Sequence, residues 1–300
     1  MMKEVNMELP LFFIEKIEKQ YGKETAKKIE EGLLEEKPVT LRVNTIKSSL
    51  EKVKNELEKN NIEYENVEWN KDALIIKNVR EDEIRKLGIY ENGEIYLQSL
   101  SSMIPAVVLE PKEKENILDM TAAPGGKTTQ ISAIAENKVF ITACEKNKIR
   151  YDRLKYNVEK QGVKNINIMQ EDSRKLSDYF SFDKILLDAP CSGSGTENVF
   201  TPNFSEYLIQ KSSKVQEELL TKSLTILKPG GEMVYSTCSI LKEENEDIVK
   251  KVLKKFKAQI IPINVPQNIP VLPTSIDGAL CVCPTKYYEG FFVVKILKKS

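Results

Sequence analysis

Apolar residues fall at near-helical spacing over residues 9–36. Leu11, Ile14, Ile17, Tyr21, Leu33 and Leu34 stand in a charged background there, which predicts one helix or two before Pro38 stops them. A compact alternation follows. VTLRVNT (39–45) reads as a strand, and SSLEKVKNELEKNN (48–61) as a serine-opened helix with Leu50, Val53 and Leu57 on one face. ALIIKNV (73–79) reads as a second strand and 82–87 as a short helix, so a small α+β unit is predicted to end near Tyr96. From Gln98 the pattern changes. A helix over 99–110 closes at Pro111, and strand-like runs then alternate with helices: NILDM (116–120), KVFITACE (138–145), NINIMQED (165–172), FDKILLDAP (182–190) and GEMVYSTCS (231–239). Strands apolar on both faces and separated by helices predict an α/β fold with a parallel, doubly wound sheet. CVCP and GFFVVKIL add two further strands near the end. The chain is therefore divided into a unit over 1–97 and a larger one over 98–300.

Composition narrows the class. With 41% apolar residues a chain of 300 can bury a sizeable core, and 45 basic against 45 acidic residues leave no charged tail to predict. No apolar run reaches the length of a membrane span, and the N-terminus lacks a secretory pattern. Five cysteines, an odd number in a long chain, do not read as a disulfide framework. A soluble, cytoplasmic protein is expected. The absence of histidine excludes Ser-His-Asp triads, Cys-His pairs and His-ligated zinc, and no Cys-x-x-Cys is present, so no metal is expected. Acid–base work must fall to Asp, Glu, Lys, Cys or Tyr. Residues 250–300 hold nine lysines against Asp277 and Glu289, which suits either a polyanion partner or a solvated lysine-rich face.

In a doubly wound sheet ligands bind beyond the C-terminal ends of the strands, so the strand-ending residues carry the chemistry. The first such strand ends at Asp119 and runs through Met-Thr-Ala-Ala-Pro-Gly-Gly-Lys-Thr128 into a helix, where small residues let a ligand approach the backbone. Gly126-Lys127-Thr128 mimics the end of a phosphate-binding Walker loop. That loop needs glycine at 121, where threonine stands, and Pro124 removes an amide, so NTP hydrolysis is disfavoured. The second strand ends in Glu145, suited to ribose hydroxyls or simply to capping in solvent. The third ends in Glu171-Asp172, where a carboxylate could meet an exocyclic amine. Three strand ends carrying Asp119, Glu145 and Asp172 do not suit pyrophosphate; they suit adenosine joined to something neutral or cationic, such as S-adenosylmethionine.

The fourth strand runs into Asp188-Ala-Pro-Cys191-Ser-Gly-Ser-Gly195 and the fifth into Ser236-Thr-Cys238-Ser. A free cysteine is most often a small buried hydrophobe, and Cys144 fits that description. Cys191 and Cys238, flanked by Pro, Ser, Gly and Thr, fit it poorly and would face one cleft. A thiolate can add to an electron-poor ring carbon. With Asp188 nearby and a methyl donor alongside, these parts match methylation of a pyrimidine at C5. The spacing leaves open which thiol attacks.

LRVNTIK (41–47), YLQSLSSMIPAVVL (96–109), DMTAAPGGKTTQ (119–130), DAPCSGSGT (188–196), YSTCS (235–239) and EGFFVVKI (289–296) resemble, in order, the Sun family of RNA cytosine-5 methyltransferases. The resemblance implies a Rossmann-like class I methyltransferase domain beside a small RNA-recognition-motif-like module. It implies Cys238 as the nucleophile at C6 of cytosine and Cys191 as the group that assists release. Asp188 would hydrogen-bond the ring near N3, and Lys127 would contact the target base or the catalytic groups. Thr121, Ala122, Ala123, Pro124, Gly125, Gly126 and Lys127, with Glu145, Asp172 and Asp188, would hold S-adenosylmethionine, without metal. The implied partner is ribosomal or transfer RNA; no membrane partner is expected, and nothing in the sequence demands more than a monomer. Two departures stand out: Thr121 replaces a common cysteine, and Tyr287-Tyr288-Glu289 stands where an Asp and often a His are usual, which leaves that loop's role open.

Two other classes fit less well. Adenine-N6 methylation would want an aromatic or second proline after Asp-x-Pro to stack the ring, and Cys191 stands there. A non-catalytic RNA chaperone would have no need of both cysteines and Asp188, and all three are present.

Overall fold

The computed structural model describes residues 8–264, 266 and 268–300. Two helices, α1 (Leu11–Tyr21) and α2 (Lys23–Leu34), precede a small sheet unit. That unit runs β1 (Thr40–Val43), α3 (Leu50–Lys59), β2 (Tyr64–Asn66), β3 (Ala73–Ile76), α4 (Glu81–Arg85), α5 (Gly88–Glu91) and β4 (Ile95–Leu97). Ser49 opens α3 by accepting from the Lys52 amide at 3.2 Å. The four strands pair antiparallel in the order β2-β3-β1-β4.

Strand alternation gives this sheet two apolar faces. Leu41, Val43, Leu74 and Ile76 point into a core closed by Val53 and Leu57 of α3, Ile84 of α4 and Ile89 of α5. Ala73 and Ile75 point the other way, into the core of the larger unit.

The larger unit begins with α6 (Leu100–Leu109) and continues as β5 (Asn116–Asp119), α7 (Gly126–Ile134), β6 (Phe140–Cys144), α8 (Lys148–Gln161), β7 (Ile166–Met169), β8 (Phe182–Asp188), α9 (Glu206–Ile226), β9 (Leu227–Thr237) and α10 (Glu246–Leu253). Four strands end the chain: β10 (Ala258–Ile261), β11 (Val271–Leu272), β12 (Leu280–Val282) and β13 (Phe291–Lys298). Five strands, in the order β9-β8-β5-β6-β7, are parallel. Connections step from β5 to β6 and β7 on one side, then to β8 and β9 on the other. The direction reverses between β5 and β8, where a doubly wound sheet opens its ligand crevice.

The sheet is mixed rather than wholly parallel. β13 runs antiparallel to β9, β12 and β10, and β11 antiparallel to β12. No helix lies between β12 and β13, and a connection from Val282 to Phe291 is too short to cross over to a parallel position.

Each face of this sheet is covered. Ile117, Ile141, Leu186 and Val234 pack under α6, α7 and α8, while Leu118, Ile185, Leu187 and Tyr235 pack under α9 and α10. The helices grouped within 1–97 also pack on this second face: Phe13 and Ile17 of α1 and Ala26, Ile29 and Leu33 of α2 share a core with Leu118 and Phe292. The small sheet offers them no place, because one face is closed by its own helices and the other is docked.

The basic end is used mostly for internal contacts. Register sets Phe292 opposite Thr237 and Leu297 opposite Glu232, so Lys295 and Lys298 lie at the end of the sheet away from Cys238. Lys295 pairs with Glu110 and Glu232, Lys298 donates to the carbonyls of Thr225 and Leu227, and Lys251 and Lys255 pair with Glu217. Among the described residues no helix is long and apolar enough to cross a membrane, and no cluster of His, Cys, Asp or Glu could hold a metal ion.

Candidate active site

The loop after β5 is fixed from several directions. Thr121 donates its hydroxyl to the Asp188 carbonyl at 2.7 Å, and the Ala122 amide donates to the Cys144 carbonyl at 3.0 Å. Arg150 of α8 donates to the Ala123 carbonyl at 2.7 Å and Asn157 to that of Pro124 at 2.8 Å. Gly125 takes φ of 109° as the chain turns into α7, a backbone state that a side chain would strain. Asp119 is 1% exposed and accepts from the Thr128 hydroxyl at 2.6 Å. Burial, helped by the charge of Asp188 and opposed by that hydrogen bond, pushes its carboxyl up to about 6.

Beside this loop lies a narrow cavity of about 260 Å³, lined by Thr121, Ala123, Cys144, Glu145, Asp172, Asp188, Cys191 and Cys238 among others. Glu145 stands one residue past β6 and accepts from the Asn147 amide at 2.8 Å, with Arg150 3.5 Å from its other oxygen. Asp172 stands past the end of β7. It accepts from the amide and Nε of Arg174 at 3.1 and 3.0 Å and pairs with that guanidinium, which holds its carboxyl down at about 2. The wall expected to be a bare carboxylate is therefore an ion pair. Part of the negative charge read from the strand ends is neutralised in the fold itself.

A wider cleft of about 910 Å³ runs between the small sheet and the large unit, lined by Lys37, Arg80, Tyr96, Asp119, Thr121, Ala122, Pro124, Gly126, Lys127, Asp188, Cys238, Glu289 and Phe291 among others. Lys127 is fixed in it. Its ammonium lies 2.7 Å from Asp188 Oδ2, donates to Ser102 Oγ at 2.7 Å and sits 5.4 Å from the centre of the Phe291 ring. Ser236 donates to Asp188 Oδ1 at 2.8 Å.

Cys191 and Cys238 follow β8 and β9 and are brought together. Their Sγ atoms lie 2.8 Å apart. The Cys191 thiol is pushed well above the ordinary thiol range, first by its hydrogen bond to Cys238, then by burial, with the charge of Glu244 adding to both. Either sulfur could be the donor in that contact. The two loops are joined by a bond from the Gly195 amide to the Cys238 carbonyl at 3.0 Å and by a hydrogen bond of 2.7 Å between the hydroxyls of Ser194 and Ser239. Cys144 and Cys281 lie in the core, where burial pushes the Cys144 thiol up to about 12 and raises that of Cys281 as well.

Thr121, Ala123, Glu145, Asp172 and Asp188 thus share the narrow cavity, while Ala122, Pro124, Gly126 and Lys127 face the cleft. Gly125 lines neither and serves the turn. Cys238, Asp188, Ala123 and Thr121 line both, whereas Cys191 lines only the narrow cavity. The Tyr287–Glu289 segment is a clasp between units. Trp69 donates to the Tyr288 hydroxyl at 2.8 Å, Lys77 lies over the Tyr287 ring, and the hydroxyls of Ser99 and Ser101 donate to the Glu289 carboxylate and carbonyl at 2.7 Å each. Sequence reasoning missed Ser102, Arg174 and Ser236. Arg174, two residues after Asp172, had a local signal as its partner; the others are joined to the site only by folding.

Comparison with known proteins places the chain in a family. The profile described as 16S rRNA methyltransferase RsmB/F matches residues 106–297, and one described as an RsmF/B-like ferredoxin-like domain matches 9–81. A tRNA (cytosine(72)-C(5))-methyltransferase of Pyrococcus horikoshii is 38% identical over 72% of this chain and 55% of its own length. Ribosomal RNA small subunit methyltransferase F of Cronobacter sakazakii is 32% identical over 87% of this chain and 57% of its own. The chain spans a little over half the length of these curated relatives. The crystal structure of NSun6 from Pyrococcus horikoshii with SFG superimposes with a TM-score of 0.88 at 28% identity, over 97% of this chain and 98% of that one.

Proposed function

The chain belongs to the RsmB/F family of 16S rRNA methyltransferases, and from that premise we propose that it methylates C5 of a cytosine in ribosomal or transfer RNA through a covalent adduct between Cys238 and C6. The observation that carries this reading is the position of Cys238 on the wall between the narrow cavity and the wide cleft. A nucleophile that must engage an RNA base on one side and present it to a methyl donor on the other belongs at such a junction. Cys191, which lines only the narrow side and lies 2.8 Å from Cys238, suits the releasing role.

S-adenosylmethionine in the narrow cavity would supply the electrophilic methyl group. The donor set there fits it. Glu145 is a hydrogen-bond acceptor suited to vicinal ribose hydroxyls, the Asp172–Arg174 pair offers a polar edge, and Thr121, Ala123 and Asp188 close the wall. The rest of the loop through Ala122, Pro124, Gly125, Gly126 and Lys127 would shape the donor's approach to the cleft.

Attack by the Cys238 thiolate on C6 turns the C5=C6 pair toward C5, which becomes the nucleophile for the methyl group. Asp188 meets the ring near N3, and its orientation is set beforehand by Lys127 and Ser236. After transfer, loss of the C5 proton to solvent restores the C5=C6 double bond. The C6–S bond breaks with its electron pair on Cys238, and Cys191 supplies that sulfur with a proton across the 2.8 Å contact. The target base has to leave its stack to reach this depth, so single-stranded or flipped cytosine is the substrate form.

The test is covalent trapping in cells. Cys191→Ala is expected to carry RNA through a denaturing gel as an upshift removed by RNase, and Cys238→Ala to carry none. Sequencing the trapped RNA names the substrate. An adduct on Cys238→Ala but not on Cys191→Ala would reverse the roles. Absence of both adducts, together with no methyl transfer to unmodified RNA, would overturn the reading.

A further inference from the structure

Glu244 and Asn245, consecutive residues in front of α10, lie outside both cavities and are fully buried, yet they hold the two thiol-bearing loops. Glu244 accepts from the Ser192 amide at 2.7 Å through Oε1 and from the Ser192 hydroxyl at 2.6 Å through Oε2. Gln216 of α9 reaches the same carboxylate at 3.4 Å and donates to the Pro190 carbonyl at 2.9 Å. The chain is thus tied on each side of Cys191. Asn245 does the same for the other loop: Thr237 donates its hydroxyl to Asn245 Oδ1 at 2.6 Å, and Asn245 Nδ2 donates to the Ser239 carbonyl at 2.9 Å. These contacts flank Cys238. A buried carboxylate whose donors are all neutral is costly, and an apolar side chain of similar volume would serve packing as well. Its presence beside Cys191 calls for a positional explanation.

Resting on the covalent reading above, we propose that Glu244 and Asn245 are positioning residues with separate assignments: Glu244 fixes Cys191 for release, and Asn245 fixes Cys238 for attack. In the release step the C5 proton goes to solvent, its electron pair forms C5=C6, and the C6–S pair returns to the Cys238 sulfur, which takes the Cys191 proton. Solvent then reprotonates Cys191. Displacing Cys191 stalls only this step. Displacing Cys238 prevents the adduct from forming at all.

Neighbouring substitutions should therefore give opposite results. Glu244→Gln, which turns an amide NH₂ toward the Ser192 donors, is expected to accumulate covalent RNA as Cys191→Ala does, with turnover lowered about 100-fold. Asn245→Asp, which keeps the Thr237 acceptor and turns a carboxylate oxygen toward the Ser239 carbonyl in place of the donor, is expected to form adduct at least about tenfold more slowly and to accumulate none. A merely structural role would lower adduct and turnover together in both. Equal behaviour of the two variants, or wild-type turnover of Glu244→Gln without adduct, overturns the assignment. If Glu244→Gln fails to fold, as judged by thermal melting, Ser192→Ala decides: it removes the hydroxyl donor to Oε2 alone, so accumulated adduct supports the proposal and wild-type release overturns it. If Cys191→Ala itself traps no RNA, the covalent reading has failed and this proposal falls with it. Trapping by Cys191→Ala without trapping by either Glu244→Gln or Ser192→Ala sinks the proposal alone.

Discussion

Asp119 ends β5 under the loop that opens α7, and its partners are the Thr128 hydroxyl at 2.6 Å and the Thr121 amide at 3.4 Å. Its carboxyl stands at about 6 against an ordinary 3.8, chiefly through burial. Because the folded state holds this proton more tightly than the unfolded chain, the group's contribution to stability is complete below the unfolded value. It is lost as pH rises through about 6. A shift of that size corresponds to about 3 kcal/mol. Asp119→Asn is therefore expected to raise stability near neutral pH and to flatten the stability slope between about pH 4 and pH 6, measured by denaturant titration across that range. An unchanged slope would assign the pH dependence to another group. Asp119, Asp188 and the two cysteines were legible in the sequence because each stands at or just past the end of an apolar strand run. The partners that tune them were less so, because Ser236 lies in another strand and Lys127 of α7 meets Ser102 of α6, 25 positions before it in the chain.

At the level of elements, the site depends on how closely three loops approach one another. A Cβ at Gly195 would lie 2.1 Å from the Gly290 carbonyl oxygen, and the Gly290 amide donates to the Gly195 carbonyl at 2.7 Å. Gly195→Ala must push apart the loops that carry Cys191 and Glu289. A loss of about 1–3 kcal/mol in unfolding free energy is expected, with methyl transfer falling as well because the Gly195 amide also holds the Cys238 carbonyl. Melting curves and a radiolabelled transfer assay would check the two effects separately. The five parallel strands were readable as apolar runs between helices. β2, three residues with an exposed and polar pattern, carried no such signal. Nor did the antiparallel direction of β13, which follows from connection length and pairing rather than from its own residues. The apolar stripes of α1 and α2 were visible, but which sheet they cover depended on the small sheet having both faces occupied.

Across the whole molecule, RNA entering the wide cleft under the proposed function would meet a lining of mixed charge, with Lys37, Arg80 and Lys127 beside Glu81, Asp82, Asp188, Glu197 and Glu289. Lys251, Lys255, Lys295 and Lys298 are engaged by the protein, and so are the cations of the cleft: Arg80 pairs with Glu36, Lys127 with Asp188, and Lys37 donates to the Gly32 carbonyl at 3.3 Å. Lys37→Ala and Arg80→Ala are each expected to weaken RNA binding and to reduce the slope of log affinity against log salt by about 1. Lys251→Ala should leave that slope unchanged. Equal effects at all three positions would mean that RNA runs over the C-terminal face. The wall shared by the two cavities has a further use for chemists. Thr121, Ala123, Asp188 and Cys238 border both spaces, so a single molecule could occupy the two, with an adenosine-like head in one and a cytosine-like head in the other. Joining the heads makes the second contact intramolecular, a gain of about 10²–10⁴ in avidity when the tether fits. That tether would pass beside Cys238, and a thiol-reactive group built into it would make the inhibitor permanent.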